Sequence, residues 1–132
     1  MTLALSAALW AALCAVESGG DAMAFNAAED ARGIVQIRAC VVEDVNRILR
    51  ARGAGVQYGH DAAWYPEVAR RICEVYLTHW AEKARAKSAR ARAMPTDELY
   101  AKIWNGGPDG WRKDATKAYW NKVQTAMKEG KP

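Results

Sequence analysis

Phenylalanine occurs once in this chain of 132 residues, histidine twice and cysteine three times, and each shortage removes a class of protein. Cys14, Cys40 and Cys73 are odd in number, so at least one thiol stays outside any intramolecular pair. There is no C-x-x-C and no zinc-type spacing to His60 or His79. A disulfide-stapled miniprotein is excluded, and no structural metal site is expected. Each cysteine lies in an apolar stretch and reads as a small buried core side chain. Also lacking are a Ser-His-Asp or Cys-His order, a phosphate-cradling glycine loop, an internal repeat and a linker. The apolar N-terminal stretch is too short to span a bilayer. Met1–Leu9 carries no Lys or Arg, the stretch runs directly into Glu17-Ser18-Gly19-Gly20, and Leu13 stands where a lipoprotein cleavage site needs a small residue. It therefore reads as the first helix of the mature domain, with no export signal in this chain.

What is present fits one globular domain spanning residues 1–132, since 51% of residues are apolar and 26% charged. Nineteen Lys and Arg against fifteen Asp and Glu give a net charge of +4. That mild basicity suits an anionic partner (nucleic acid, a membrane surface or an acidic cell-wall polymer) without choosing among them. Six Trp and five Tyr are the sharper bias. Both carry a flat apolar face and a polar edge, which suits stacking on sugars or bases as well as core packing.

The periodicity predicts a mainly α-helical chain. Leu5, Leu9, Leu13 and Val16 recur at helical spacing in an Ala-rich segment that Gly19-Gly20 stops. Residues 21–38 break that pattern with Asp21, Asn26, Asp30 and Gly33 before Ile34-Val35-Gln36-Ile37, which predicts a long loop with one small hairpin. Val41, Val45, Ile48, Leu49 and Arg52 mark a second helix closed by Gly53 and Gly55. After a loop over Gly53–Asp61, Pro66 starts a third helix with Val68, Ile72, Val75, Tyr76 and His79 as its apolar face. Lys83–Arg92 reads as its basic continuation, with five cations and no acid. Thr96 is the predicted cap of a helix through Leu99, Ile103 and Trp104 that ends at Asn105-Gly106-Gly107-Pro108. A last helix covers roughly Asp114–Lys128.

Glu17 is the most informative residue. It follows Leu13 by four positions, at the edge of the apolar stripe and in the last turn of its helix. Partial burial and the negative end of the helix dipole both favour a protonated acid there, which is what a general acid requires. The alternative is a solvated Glu at a helix end.

Three segments, in order, resemble the motifs of soluble-type lytic transglycosylases and goose-type lysozymes. Ala15-Val16-Glu17-Ser18-Gly19-Gly20 is similar to the helix end that bears their catalytic Glu-Ser pair. Gly33-Ile34-Val35-Gln36-Ile37 resembles their Gly-Leu-Met-Gln-Ile, and Ile103-Trp104-Asn105-Gly106-Gly107-Pro108 resembles their Ala-Tyr-Asn-Ala-Gly-Pro. The resemblance covers residues 15–108. It implies a lysozyme-like helical domain with a small β-hairpin region beside a cleft for peptidoglycan glycan. It also implies cleavage of the β-1,4 bond between MurNAc and GlcNAc, with Glu17 as general acid. Ser18 would orient the sugar or the Glu, Gln36 would bond substrate, Asn105 would help position the cleft wall and sugar, and Gly33 and Gly106-Gly107 would permit close backbone approach to the glycan. No metal or organic cofactor, no nucleic acid and no stable membrane insertion are implied, and a monomer is expected.

Two departures bear on mechanism. The family's Tyr is Trp104 here, whose indole can only donate. It stacks on a sugar or packs, with Tyr58 or Tyr65 left to supply the hydroxyl. Goose-type lysozymes also carry acids before and after the Gly-Leu-Met-Gln motif. Asp30 (or Glu29) fills the first position, but Arg38 stands at the second. An inverting hydrolase needs a second carboxylate roughly 6.5–9.5 Å from the acid, a retaining one roughly 5–5.5 Å, and a lytic transglycosylase none. Asp30 keeps hydrolysis open.

Lys83–Arg92 reads as a solvated face or as an attraction for the anionic wall. Trp64, Trp80, Trp111 and Trp120 each read as core or rim packing rather than sugar platforms, with Trp111, close after Gly106-Gly107-Pro108, the best exception. The expected setting is an endolysin-like enzyme made in the cytoplasm and released to the cell wall, or a module of a larger phage protein. The rivals are a chitin- or chitosan-cleaving relative, a lysozyme-fold binding protein with a disabled site, and a basic nucleic-acid-binding domain.

Overall fold

The computed structural model describes residues 5–130, so the extreme ends of the expected domain, residues 1–4 and 131–132, lie outside the described residues. In chain order it contains α1 (Ala7–Ser18), β1 (Phe25–Asn26), β2 (Ala31–Arg32), α2 (Ala39–Ala51), a 3-10 turn over His60–Trp64, α3 (Pro66–Lys87), α4 (Ala89–Ala93), α5 (Thr96–Gly106), a 3-10 turn over Gly110–Arg112, and α6 (Thr116–Glu129). The chain divides into two compact units, Met1–Val16 with Leu77–Pro132, and Glu17–Tyr76. Among the described residues no helix is long and apolar enough to cross a membrane.

In the first unit, α1 begins where the Ser6 hydroxyl accepts the Leu9 N–H at 3.1 Å, three residues on, as a helix N-cap does. Leu5, Leu9 and Leu13 are buried one turn apart. Beyond Ser18, Gly19 and Gly20 both take positive φ, 67° and 84°, a conformation that ends the helix with little strain only because both are glycine. Leu99 and Ile103 of α5 are fully buried, and α5 packs on α6 and on the 3-10 turn at Gly110. Gly110 makes that approach possible: a Cβ there would lie 2.1 Å from the Lys102 carbonyl oxygen.

The predicted basic continuation does not run through as one helix. It breaks at Ser88, whose hydroxyl accepts the Ala91 N–H and starts α4 afresh. Arg85 is not simply solvated either. Its Nη2 donates to the Met94 carbonyl at 2.9 Å and to Thr96 Oγ1 at 3.2 Å, closing the chain between α4 and α5. Thr96 is therefore the first residue of α5, with Pro95 as its cap residue, one position earlier than predicted. Its hydroxyl serves Arg85 instead of the helix end.

In the second unit, Val45, Ile48 and Leu49 of α2 and Ile72, Cys73 and Val75 of α3 are buried, with Val35 and Ile37 of the preceding turn. Burial pushes the Tyr76 hydroxyl above the usual tyrosine pKa, with Cys40 adding to the rise and Arg38 opposing it. The hairpin pairs Phe25 with Arg32 and Asn26 with Ala31, and a further bridge joins Arg32 to Ile37. It thus sits ahead of the apolar run Ile34–Ile37, which forms the turn that follows it. One expectation about cysteine fails. Cys14 and Cys73 are buried, but Cys40 is exposed, because the second position of α2 faces away from the stripe that begins at Val41.

Two substitutions test these locks. Gly33 has φ +81°, and a Cβ on it would lie 2.0 Å from the Ala63 carbonyl oxygen. Gly33→Ala is expected to cost on the order of 2–4 kcal/mol, read as a lower denaturant midpoint at unchanged slope. Arg85→Ala removes charge-assisted bonds to a backbone carbonyl and a hydroxyl, and should cost roughly 1–3 kcal/mol by the same measurement.

Candidate functional site

Six of the nine candidate residues, Glu17, Ser18, Asp30, Gln36, Tyr58 and Tyr65, belong to the unit Glu17–Tyr76. Trp104, Asn105 and Gly106 belong to the other. Glu17 and Ser18 form the last turn of α1 and are half-buried. Ser18 Oγ donates to the Ile34 carbonyl at 2.6 Å and accepts the Asp21 N–H at 3.1 Å. One hydroxyl thereby ties the carboxylate-bearing helix end to the Gly33–Ile37 turn. The first two sequence motifs meet at this bond.

Gln36, expected to bond substrate, lies in the same turn. Its φ is +59°, and Nε2 donates to the carbonyls of Ala24 at 3.1 Å and Gly33 at 2.9 Å. Two backbone carbonyls on one side-chain atom require the amide NH2 there, so the orientation follows from the bonding. Nε2 is thereby engaged in holding the turn.

Asp30 also has a positive φ, 48°, uncommon for a residue with a side chain and often found at functional positions. Its carboxylate, half exposed, accepts from Arg32 Nε at 3.0 Å and Nη2 at 3.3 Å. Arg32 Nη1 meanwhile donates to Asp61 Oδ1 at 2.9 Å, joining the hairpin to the 3-10 turn at His60. His60 lies in the same cluster. Its Nε2 is 2.7 Å from the Ile37 carbonyl, an acceptor that requires the proton on Nε2, and its Nδ1 is 3.8 Å from Asp30 Oδ2. Arg32, His60 and Asp61 were not singled out from the sequence. Asp30 and Arg32, two apart where β2 begins, carry a faint same-face signal. Asp61, twenty-nine positions beyond Arg32, carries none. Arg38 has Nη1 3.8 Å from the Glu29 carboxylate.

Tyr58 is held by backbone: its N–H donates to Asn46 Oδ1 and its carbonyl accepts from Asn46 Nδ2, both at 2.8 Å. Tyr65 is 64% exposed. Trp104 is buried at 8% exposure, so packing takes most of its face and little is left for a sugar to stack on. Asn105 is exposed, and the Gly106 carbonyl accepts from Lys113 Nζ at 2.8 Å. The expectation for Trp111 is reversed. It is 4% exposed, while Trp64, Trp80 and Trp120 are half-buried, because the 3-10 turn at Gly110–Arg112 folds its ring inward. Its indole Nε1 has no hydrogen-bond partner among the described residues. Nor, among those residues, does any group of three or more His, Cys, Asp or Glu stand ready to hold a metal ion.

No protein-family model matches the sequence, and no curated protein matches it. Solved structures do. A chain in the crystal structure of Aeromonas hydrophila PliI in complex with Meretrix lusoria lysozyme is similar with a TM-score of 0.71 and 23% identity, over 95% of this chain and 93% of that one. Tapes japonica lysozyme is similar with a TM-score of 0.69 and 20% identity, over 90% of this chain and 88% of that one. At such identities the likeness concerns the fold. The chain is mainly α-helical with a small two-stranded antiparallel sheet, and its fold is lysozyme-like.

Proposed function

We propose that the chain is a peptidoglycan-cleaving glycosidase, a muramidase that breaks the β-1,4 MurNAc–GlcNAc bond with Glu17 as general acid. The observation that carries this reading is the 2.6 Å bond from Ser18 to the Ile34 carbonyl, which braces a half-buried helix-end carboxyl against the Gly33–Ile37 turn. The lysozyme-like fold supports it, as does the order of the three motifs, which resembles that of soluble-type lytic transglycosylases and goose-type lysozymes.

In this reading the Glu17 carboxyl donates its proton to the glycosidic oxygen as the bond to the anomeric carbon breaks. The leaving sugar departs as an alcohol, and positive charge develops on the remaining ring. Two nucleophiles then complete the reaction. Water, activated by a second carboxylate, gives a reducing end; the substrate's own C6 hydroxyl gives a 1,6-anhydro end. Asp30 is the candidate second carboxylate, because Arg32 fixes its orientation while its oxygens keep lone pairs for a further proton. Neither route calls for a metal or organic cofactor.

Clearing of purified bacterial cell walls tests the reading. Glu17→Gln should lower the rate by roughly 10²–10⁴-fold with folding intact. Ser18→Ala, which keeps the carboxyl and loses its brace, should lower it by a smaller factor, about tenfold. If the wild type leaves walls intact yet binds them, the disabled glycan-binding protein is the better description; clearing of chitin or chitosan alone would point to that class of relative. Mass spectrometry of the released fragments decides the fate of the anomeric carbon. Reducing ends with loss of activity in Asp30→Asn assign Asp30, and anhydro ends assign the C6 hydroxyl.

A further inference from the structure

Within the unit Glu17–Tyr76, two aromatic rings meet at the surface. Phe25 on β1 is 55% exposed, and its ring centroid lies 6.3 Å from that of half-buried Trp64, with the planes tilted by 50°. Met23, two positions before Phe25, is 70% exposed. Burial of an aromatic side chain is favourable, and at Phe25 part of that gain is forgone.

The support under these rings is fixed. Phe25 pairs across the ladder with Arg32, whose guanidinium joins Asp30 to Asp61 in the 3-10 turn that carries Trp64. Gly33 lies so close beneath Ala63 that even a methyl group does not fit. Exposed apolar surface on a rigid support marks a binding surface.

The polar groups beside the rings select the ligand. Asp61 is strongly exposed, Asp30 half so, and Arg32 is already engaged by both. What is offered to solvent is aromatic faces beside carboxylate acceptors. A polyanion meets repulsion there, and so does a second copy presenting the same carboxylates. A pyranose fits: its axial C–H face lies on an aromatic ring, and its hydroxyl and acetamido N–H groups donate to carboxylates. We propose that Phe25 and Trp64 form a stacking subsite for an N-acetylhexosamine ring of the glycan. The inference rests on the glycan reading above and adds to it a place where a sugar is held.

The test uses the full chain carrying Glu17→Gln and, as an uncharged probe, the hexamer of N-acetylglucosamine, with calorimetry and tryptophan fluorescence as readouts. Phe25→Ser and Trp64→Leu, each added to that background, should raise the Kd about tenfold or more. The thermal midpoint identifies variants that remain folded, and Phe25→Ser, at an exposed position, keeps the test open if Trp64→Leu unfolds. Folded variants that bind the hexamer as tightly as their parent overturn the subsite, as does a parent that fails to bind it. Concentration-dependent dimerisation that Phe25→Ser abolishes without changing glycan binding overturns it too. The two readings fail separately. Wall clearing with hexamer binding indifferent to Phe25 and Trp64 removes the subsite alone, whereas hexamer binding that depends on them without any wall clearing removes the cleavage reading alone.

Discussion

A two-residue ladder cannot hold a hairpin in water, and this hairpin has only Phe25–Asn26 against Ala31–Arg32. Beyond the ladder, the Gly33 N–H donates to the Ala24 carbonyl at 2.9 Å, Arg32 bridges to Ile37, and the Arg32 guanidinium reaches back two residues to Asp30 and forward twenty-nine to Asp61. A planar fork with several donors can satisfy two carboxylates at once, which a lysine ammonium does with far less control of direction. Around that fork the backbone is drawn in until Gly33 touches the Ala63 carbonyl. The turn that follows then has the geometry to receive the Ser18 hydroxyl and the Gln36 amide. The position of the Glu17 helix end relative to the turn depends on this chain of contacts.

The candidate residues differ in how far their bonds are already spent on structure. Gln36 stabilises its own turn, and Tyr58 is pinned through its backbone by Asn46. Glu17 sits one residue before the brace, half-buried. Asp30 is partly spent, with its oxygens bonded to Arg32 while the carboxylate is half open to solvent. A carboxylate so fixed loses little conformational freedom when it binds a further donor, which is how preorganised sites gain.

Local features were legible in the sequence and tertiary ones were not. The Leu5, Leu9, Leu13 spacing, the Gly19-Gly20 stop and Pro66 at the start of α3 gave helices α1 and α3 within a few residues. Val41, Val45, Ile48 and Leu49 did the same for α2. Thr96 misled because its hydroxyl had a partner eleven residues earlier, Arg85, that no local pattern reveals. Ser88 was passed over because cations and alanines on both sides carry the helical pattern across it. Cys40 and Trp111 were misread for opposite reasons: an apolar neighbourhood does not fix which face a helix's second residue takes, and proximity to a glycine-rich turn does not keep an aromatic ring outside. Glu17 and Ser18 were picked out by their position and by resemblance, whereas the Arg32–Asp61–His60 cluster exists only once the hairpin and the 3-10 turn are brought together.

The division of the chain into units has a consequence for how the molecule is made. Glu17–Tyr76 is one continuous stretch, so its α2–α3 core and its hairpin cluster can form from sixty consecutive residues. The other unit draws on both sides of that stretch, joining the segment that holds Leu5, Leu9 and Leu13 to residues from Leu77 onward. Closing so long a loop is slow, and a chain emerging from the ribosome cannot begin it until those residues exist. In the interval α1 presents its leucine stripe with much of its packing missing, although the turn that braces Ser18 is already available. On this order of events the end of the helix that carries Glu17 is anchored first, and the rest of that helix is buried last.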